Sequence, residues 1–335
     1  MKYLFLTIVG IISILACNNF KSDNYYTCTG TTQGTFYNVT YQHSTELCLN
    51  IDSILQDFSK SLSNYDSESL ISRINSNESN KADAYFTEMY EAAQLVYDKT
   101  NGAFDISIAP IANAWGFGWE NKNEINSIDT SYINSLLKYV GMNNIRFENG
   151  KITKKFPEIK IIGNGIAQGL SVDVVSEYLK KQGITNYLVE IGGEVYATGL
   201  NPSSDPWSIG IDKPVKDSNY EDRETQIIIN FSDWSAATSG NYRKYIEIKD
   251  KSLGHSLDPR TGFPAINELL SVTVIAKKCI YADAFATAFM VLGLNESMEI
   301  VEAEDNLEAY FIYLNENKQI ETEQSSGFKS FVSKY

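Results

Sequence analysis

The stretch Gly254–Gly293 reads GHSLDPRTGFPAINELLSVTVIAKKCIYADAFATAFMVLG, a turn-rich loop followed by a β-prone run and an alanine-rich helix. On that helix Asp283 and Thr287 are four residues apart, so both lie on one face. A carboxylate and a hydroxyl are hard oxygen ligands of the kind that Mg2+ prefers. The flanking alanines would let a ligand or a second backbone come close. The segment therefore predicts a metal-assisted phosphate site.

The same helix also has a purely structural interpretation. Asp283 lies near the expected start of the helix, where a carboxylate caps free amides and suits the helix dipole. Thr287 could bond back to the preceding turn, and the alanines could serve close packing. From this helix alone, both interpretations stand.

The first residues are typical of a bacterial export signal. Lys2 supplies a positive charge, a short apolar run follows, and Ile14–Cys17 (ILAC) resembles a lipobox. The apolar run is too short for a stable membrane-spanning helix. We expect residues 1–16 to be a lipoprotein signal peptide, cleaved before Cys17, whose sulfur and new amino group carry lipid. Residues 17–24 would form a tether, and an uncleaved signal anchor is the alternative.

The rest of the chain has the composition of an acidic globular protein. Of its 335 residues 43% are hydrophobic and 12% aromatic, and the formal net charge is −14. This charge argues against nucleic acid and anionic lipid headgroups as partners. A protein this acidic would need a bound cation to hold a polyanionic ligand. Without a linker rich in Pro, Gly or Ser, residues 25–335 are expected to form a single domain.

Three cysteines remain beside Cys17. No CxxC spacing indicates zinc binding or redox chemistry. Cys28 and Cys48 could form a disulfide in an oxidising compartment, or they could stay reduced. Cys279 lies at the end of an apolar strand, and we expect it to be buried and unreactive.

Helical and β-prone segments are interspersed without a strict βαβ rhythm, which predicts an α+β fold. Apolar periodicity predicts helices over 46–62, 69–74, 86–100 and 166–182. Strands are expected at 158–162, 187–191, 207–211, 226–231, 245–248 and 270–276. The two hydroxyl residues of Ala237–Tyr242 are expected in a turn.

A glycine pattern, Gly163-x-Gly165-x-x-x-Gly169, follows one expected strand and begins a helix, with Glu190 at the end of the next strand. Glycines admit a close backbone, and a helix N-terminus attracts phosphate, as in dinucleotide-binding folds. Against a Rossmann site, Gln168 takes the place of a third small residue, and no run of parallel βα units surrounds the pattern. A structural turn and a differently built ligand loop are the other interpretations.

Two further segments contain candidate residues. Thr100–Asp105 ends a helix with a glycine and places an acid in an apolar setting, and its structural alternative is a capping glycine with Asp105 fixing a turn. His255, Asp258 and Arg260 lie within six positions of each other in a turn-rich loop. Such a loop could transfer protons and neutralise phosphate, or it could be an ordinary surface loop.

The order of these motifs is more specific than any one of them. Over residues 32–293 the chain contains, in succession, TQGTFYNVTY, LSNYDSESLISRIN, TNGAFDISIAPIANAWGFG, GNGIAQGLSVDVV, LVEIGGEVYATG, ATSGNYRKY, HSLDPRTGFP and ADAFATAFMVLG. This succession resembles the ApbE family of FAD:protein FMN transferases. The resemblance implies a single compact α+β domain, related to the T-fold, with mixed or antiparallel sheets and packed helices.

The resemblance also implies a reaction. Members of the family split FAD at its pyrophosphate with Mg2+, attach FMN through a phosphoester to a threonine or serine of a partner protein, and release AMP. Some members instead hydrolyse FAD to FMN and AMP. The partners would be exported flavin-acceptor proteins such as membrane redox subunits. The protein would act on them at the periplasmic side of a membrane of the bacterial cell envelope. A non-enzymatic FAD-binding lipoprotein is the alternative from another class.

Site residues follow from the resemblance position by position. Asp283 and Thr287 match the side-chain metal ligands, and Gly165 matches a residue that offers its backbone carbonyl. The matches to FAD-contacting positions are Tyr65 at the flavin nucleotide, Ala103, Phe104 and Asp105 at the adenosine end, and Leu257 through its backbone. His255 matches a histidine expected to shuttle a proton or contact a phosphate, and Asp283 could help to deprotonate the acceptor hydroxyl.

Three positions depart from the family pattern. Gln33 stands where methionine is usual, which alters a flavin contact. Ile162 stands where an acid is common, which removes a hydrogen-bond acceptor for FAD, and Gln168 replaces a common lysine, which removes a charge. Because the metal ligands are retained, we expect the chemistry to survive with altered FAD affinity or acceptor choice.

Overall fold

The computed structural model describes residues 24–120, 129–214, 224–241, 245–248, 251–254 and 256–333. The helices are α1 (Cys48–Leu62), α2 (Leu70–Asn75), α3 (Ala84–Lys99), α4 (Ala109–Ala114), α5 (Thr130–Leu136), α6 (Ala167–Lys181), α7 (Cys279–Leu292) and α8 (Leu294–Ala303). The strands are β1 (Asn24–Thr32), β2 (Thr35–His43), β3 (Ile145–Glu148), β4 (Lys151–Lys154), β5 (Tyr187–Ile191), β6 (Glu194–Thr198), β7 (Trp207–Asp212), β8 (Thr225–Phe231), β9 (Trp234–Gly240), β10 (Tyr245–Ile248), β11 (Lys251–Gly254), β12 (Leu257–Asp258), β13 (Phe263–Pro264), β14 (Leu269–Ala276), β15 (Leu307–Leu314) and β16 (Ile320–Gln324). This succession confirms the predicted α+β fold.

An eight-stranded sheet runs through the molecule in the order β1-β2-β5-β6-β9-β14-β15-β16. Its neighbouring strands are antiparallel. The β1–β2 hairpin turns at Gln33 and Gly34, whose φ angles of 51° and 74° suit a two-residue hairpin turn. β9 pairs with β6 on one side and β14 on the other, so strands from distant parts of the chain form one continuous sheet.

Both faces of this sheet are covered by apolar side chains. On one face α6 packs against β5 and β6, and α7 packs against β9 and β14. On the other face the β7–β8 hairpin contributes Trp207 and Ile229 to a cluster that includes Phe328. β14 is therefore buried over most of its length, which explains its nearly continuous apolar sequence. The sheet thus holds α6 and α7 side by side.

Two predicted elements differ from the structure. Residues 158–162 form no strand, because their backbone groups bond to side chains and to a distant turn. Asn75 Nδ2 donates to the Ile161 carbonyl at 2.8 Å and Asn75 Oδ1 accepts from Ile161 N at 2.7 Å, while Ile162 N donates to the Ile106 carbonyl at 2.8 Å. Residues 237–240 of the turn expected at 237–242 instead form the end of β9, because they pair with β14.

The cysteines fall into two classes. Cys28 in β1 and Cys48 at the start of α1 form a disulfide that spans 20 positions. It ties the edge strand to the first helix. Cys279 is a free thiol and is fully buried, as predicted.

The predicted signal peptide and Cys17 lie outside the described residues. Over the ranges that the structure describes, no helix combines the length and the apolar character needed to cross a membrane. The processing of residues 1–16 and the tether at 17–24 stay predictions.

Candidate functional site

The N-terminal ends of α6 and α7 approach each other at two glycines. A Cβ on Gly169, in the first turn of α6, would lie 2.4 Å from the carbonyl oxygen of Cys279 and 2.8 Å from the Cβ of Asp283. Gly165, just before α6, has a φ of +79°, and a Cβ there would lie 2.7 Å from Thr287 Oγ1. Glycine alone permits both approaches. The predicted metal ligands Gly165, Asp283 and Thr287 are thus brought together.

Two buried aspartates cap the two helices reciprocally. Asp283 of α7 accepts a hydrogen bond from Gly169 N in the first turn of α6, at 2.9 Å to Oδ2. Asp173 of α6 accepts from Cys279 N and Ile280 N, at 2.8 and 2.9 Å. Each aspartate thus bonds backbone amides in the first turn of the other helix, which have no partner within their own helix. Asp283 therefore does act as a cap, but the helix it caps is α6 and not its own.

The electrostatics of this junction are set by buried carboxylates. Burial raises the pKa of Asp283 to about 7, opposed by the hydrogen bond from Gly169. Glu194, the first residue of β6, has its pKa raised well above its ordinary value by burial and then by the charge of Asp283. Because an uncompensated charge in the interior is costly, neighbouring buried carboxylates favour a bound cation.

The donor set at the junction fits a hard divalent cation. The Thr287 hydroxyl lies one turn from Asp283 and 3.4 Å from the Ser239 hydroxyl of β9. In the part of the chain that the structure describes, no three His, Cys, Asp or Glu side chains are grouped as a metal cluster. A cation here would therefore also depend on hydroxyl and backbone oxygens and on water. Mg2+ suits such a set, since it keeps several waters and takes one or two carboxylates.

Tyr65 is held close to the segment Gly163–Gly165 that leads into α6. It follows the end of α1, and 69% of it is exposed, so its ring is available to a planar ligand. The neighbouring Asn64 donates from Nδ2 to the Ile161 carbonyl at 2.9 Å and accepts at Oδ1 from Gly163 N at 3.1 Å. This bridge fixes Tyr65 beside the segment that leads into Gly165.

The segment Ala103–Asp105 lies inside the protein. Ala103 and Phe104 are buried. Asp105 accepts hydrogen bonds from Ser107 N at 2.7 Å and Ser107 Oγ at 2.6 Å, and burial raises its pKa to about 6. Asp105 thus fixes a turn, which is the structural interpretation given above for the segment Thr100–Asp105.

The other positions predicted to contact FAD lie in a hydrophobic cluster, at the start of α6 and at the β1–β2 turn. Ile162 and Leu257 are buried in one hydrophobic cluster. Gln168 Nε2 lies 2.2 Å from the point where a Cβ on Gly192 would be, so this glycine makes room for the amide. Gln33 Nε2, at the β1–β2 turn, is buried with no hydrogen-bond partner in the described part of the chain.

His255 lies outside the described residues, so its role stays a prediction. Nearby, Arg260 and Asp258 form a bidentate ion pair, with Nε to Oδ1 and Nη2 to Oδ2 both at 2.9 Å. The guanidinium is therefore engaged within its own loop.

Two residues of the junction were given no role by the sequence analysis. Asp173 and Glu194 are both at least nine-tenths buried. A signal for each was present, because Asp173 interrupts the apolar face of α6 and Glu194 directly follows a Gly-Gly turn at the start of an apolar strand. Buried acids are rare without a partner, and Asp173 has its partners in the first amides of α7, whereas the burial of Glu194 has no such explanation among the described residues.

Known proteins resemble this chain in sequence and in fold. The model of the ApbE family matches residues 33–311. An FAD:protein FMN transferase of Vibrio cholerae serotype O1 is 34% identical and covers 100% of both chains, and one of Haemophilus influenzae is 32% identical over 99% of each. The solved flavin transferase ApbE from Vibrio cholerae has a TM-score of 0.82 at 33% identity, covering 92% of this chain and 99% of its own. The ApbE protein from Thermotoga maritima has a TM-score of 0.79 at 27% identity, covering 93% and 100%.

Proposed function

Since this chain belongs to the ApbE family, we propose that it transfers the FMN moiety of FAD, with Mg2+, onto a threonine or serine hydroxyl of a partner protein and releases AMP. FMN transfer from FAD to protein is the activity named for its relatives, and it makes this chain a transferase. The observation that carries the finer proposal is the meeting of Asp283, Thr287 and Gly165 where α6 and α7 adjoin.

In the proposed reaction the acceptor oxygen attacks the phosphorus of the FMN half of FAD. The bond from that phosphorus to the bridging oxygen breaks, and AMP leaves with the oxygen. Asp283, Thr287 and the Gly165 carbonyl would hold Mg2+, which supplies positive charge to the diphosphate. Asp283 or His255 would accept the proton that the acceptor hydroxyl loses.

The remaining predicted residues would hold FAD. The exposed ring of Tyr65 would contact the flavin nucleotide, Ala103–Asp105 the adenosine end, and Leu257 the cofactor through its backbone. Gln168 would adjust affinity, since it brings an amide to the start of α6, and Gln33 would do so through a buried amide nitrogen that has no partner among the described residues.

Incubation of the purified protein with FAD and Mg2+, with and without an exported candidate acceptor, tests the proposal. The expected products are acceptor whose flavin fluorescence survives denaturing electrophoresis and one AMP per attached FMN. Free FMN and AMP without covalent flavin would instead identify an FAD pyrophosphatase. FAD that stays bound and intact would identify a non-enzymatic FAD-binding lipoprotein.

We also propose that the protein is anchored by lipid on Cys17 and works on the periplasmic side of a membrane of the bacterial cell envelope. The Cys28–Cys48 disulfide supports an oxidising compartment. The acceptors would then be exported proteins, membrane redox subunits among them. Cys17→Ser should move the protein from the membrane fraction to the soluble fraction of lysed cells, and unchanged membrane attachment would contradict the anchor.

A further inference from the structure

Glu194 carries a buried oxygen that no group of the described chain satisfies. It is the first residue of β6 and directly follows the turn at Gly192 and Gly193. Only 7% of the residue is exposed, and Oε2 has no hydrogen-bond partner among the described residues. A carboxylate oxygen left in this condition costs free energy, so its burial needs an explanation.

The position of that oxygen links it to the start of α6. A Cβ on Gly192 would lie 3.0 Å from Glu194 Oε2 and 2.2 Å from Gln168 Nε2, so both side chains lie against the same glycine. Gln168 immediately precedes Gly169, the residue whose amide holds Asp283. Glu194 therefore approaches from β6 the same helix start that Asp283 approaches from α7.

The two carboxylates also act on each other. Among the charged groups near Glu194, Asp283 raises the pKa of Glu194 most. In the described ranges, neither carboxylate forms an ion pair with a lysine or arginine. Two like charges in the interior repel unless a positive charge lies between them or near them. A divalent cation would balance both, and oxygen is its preferred ligand atom.

Building on the proposed function, we propose that Glu194 is a further acidic residue of the same divalent-cation site and faces the cation from β6. It acts as a positioning residue, because it would stabilise the bound cation without contacting the reacting phosphorus. Gln168 lies beside it as a neutral amide, so it does not compensate the charge of Glu194. In the proposed site the bound cation compensates this charge.

Glu194→Gln tests this proposal, because it removes the charge and keeps the shape. Mg2+ binding to EDTA-treated full-length protein is measured by titration calorimetry, and thermal unfolding is followed with and without Mg2+. We expect Mg2+ affinity to fall roughly 10–100-fold, the range typical when a supporting residue of a metal site is lost. In metal-free protein the variant should melt no lower than the wild type, since the neutral amide keeps the shape of a side chain whose charge burial already disfavours, and Mg2+ should raise its melting temperature less.

Asp173→Asn is the matched control. Asp173 is another buried carboxylate of the same helix pair, but both of its oxygens bond to amides of α7. Its variant should lose stability equally with and without Mg2+ and keep its Mg2+ affinity. If Glu194→Gln behaves like this control, Glu194 has only a structural role and the proposal is wrong.

FMN transfer measured on the same samples separates this proposal from the proposed function. Mg2+-dependent transfer together with unchanged Mg2+ affinity in Glu194→Gln would overturn the role of Glu194 alone. Weakened Mg2+ binding in the variant, with no transfer by the wild type, would support Glu194 and contradict the proposed function. A wild type that binds no Mg2+ would overturn both.

Discussion

At the scale of single residues, the sequence predicted which residues of α6 and α7 lie close together better than it predicted which acids are buried. The spacing of Asp283 and Thr287 predicted a shared helix face, and the Gly163–Gly169 pattern predicted a close approach of the backbone. Glu194 was missed because whether an acid after a Gly-Gly turn is buried depends on what packs over it, and that is decided by distant segments. Local pattern alone carries no such information.

Asp283→Ala is expected to abolish FMN transfer, because it removes the carboxylate proposed to hold the cation. The loss should be roughly 100-fold or more, the size expected when a contact that stabilises transition-state charge is removed. Asp283→Asn, which keeps an oxygen that Gly169 N can bond to, should lose activity with less change in stability. Covalent flavin yield and thermal unfolding are measured together, and full activity in either variant would remove the metal hypothesis.

Gly165→Ala is expected to damage the site through sterics. A methyl group there would meet Thr287 Oγ1 at 2.7 Å, on a backbone with a φ of +79°. Gly183→Ala is a matched control, because its φ is +78° and nothing lies within 4 Å of the added methyl. Both variants should lose roughly 1–2 kcal/mol of unfolding free energy from the left-handed backbone. Only Gly165→Ala should lose FMN transfer, and equal activity in the two would contradict the contact.

At the scale of elements, the four helices with predicted bounds, α1, α2, α3 and α6, lie within about two residues of those bounds because their signals are local, whereas α4, α5 and α8 were not predicted. α6 was expected over 166–182 and spans Ala167–Lys181. The two segments that were assigned the wrong structure have backbone partners that are remote in sequence. The apolar stretch at 158–162 looks like a strand, but Asn75 and Ile106 take its hydrogen bonds, while the end of β9 looks like a turn until β14 pairs with it.

Loss of the Cys28–Cys48 disulfide should destabilise the link between β1 and α1. The bridge spans 20 positions, and closing a loop of this size constrains the unfolded chain by about 3 kcal/mol. Cys48→Ser should therefore lower the denaturation midpoint, as should adding a reductant to the wild type. The variant itself should not respond to reductant, and a response there would show that another thiol is involved.

At the scale of the whole molecule, fold class could be predicted from the sequence but strand order could not. The interspersed helices and strands gave α+β, whereas the order of the central sheet depends on β2 meeting β5 and β9 lying between β6 and β14. Such pairings join segments far apart in sequence, so no local period encodes them. The net charge of −14 follows directly from the composition, but the composition does not show which acids are buried.

Buried acids make the stability of the whole protein depend on pH. Burial raises the pKa of Asp105 to about 6 and that of Asp173 to about 7, from an ordinary value of 3.8. Between about pH 4 and pH 7 the folded state therefore binds more protons than the unfolded state, and stability falls as pH rises through this window. The denaturation midpoint of EDTA-treated protein should decrease from pH 5 to pH 8. Asp173→Asn should flatten this decrease, and an unchanged slope would assign it to other groups.

The exchange of caps between α6 and α7 has a consequence for anyone who redesigns this protein. A graft of the Asp283 segment alone onto a new scaffold would bring an acid without the amide that orients it. The first amides of the transplanted helix would also be left bare, because their acceptor, Asp173, stays behind on the other helix. The transplantable unit is the helix pair.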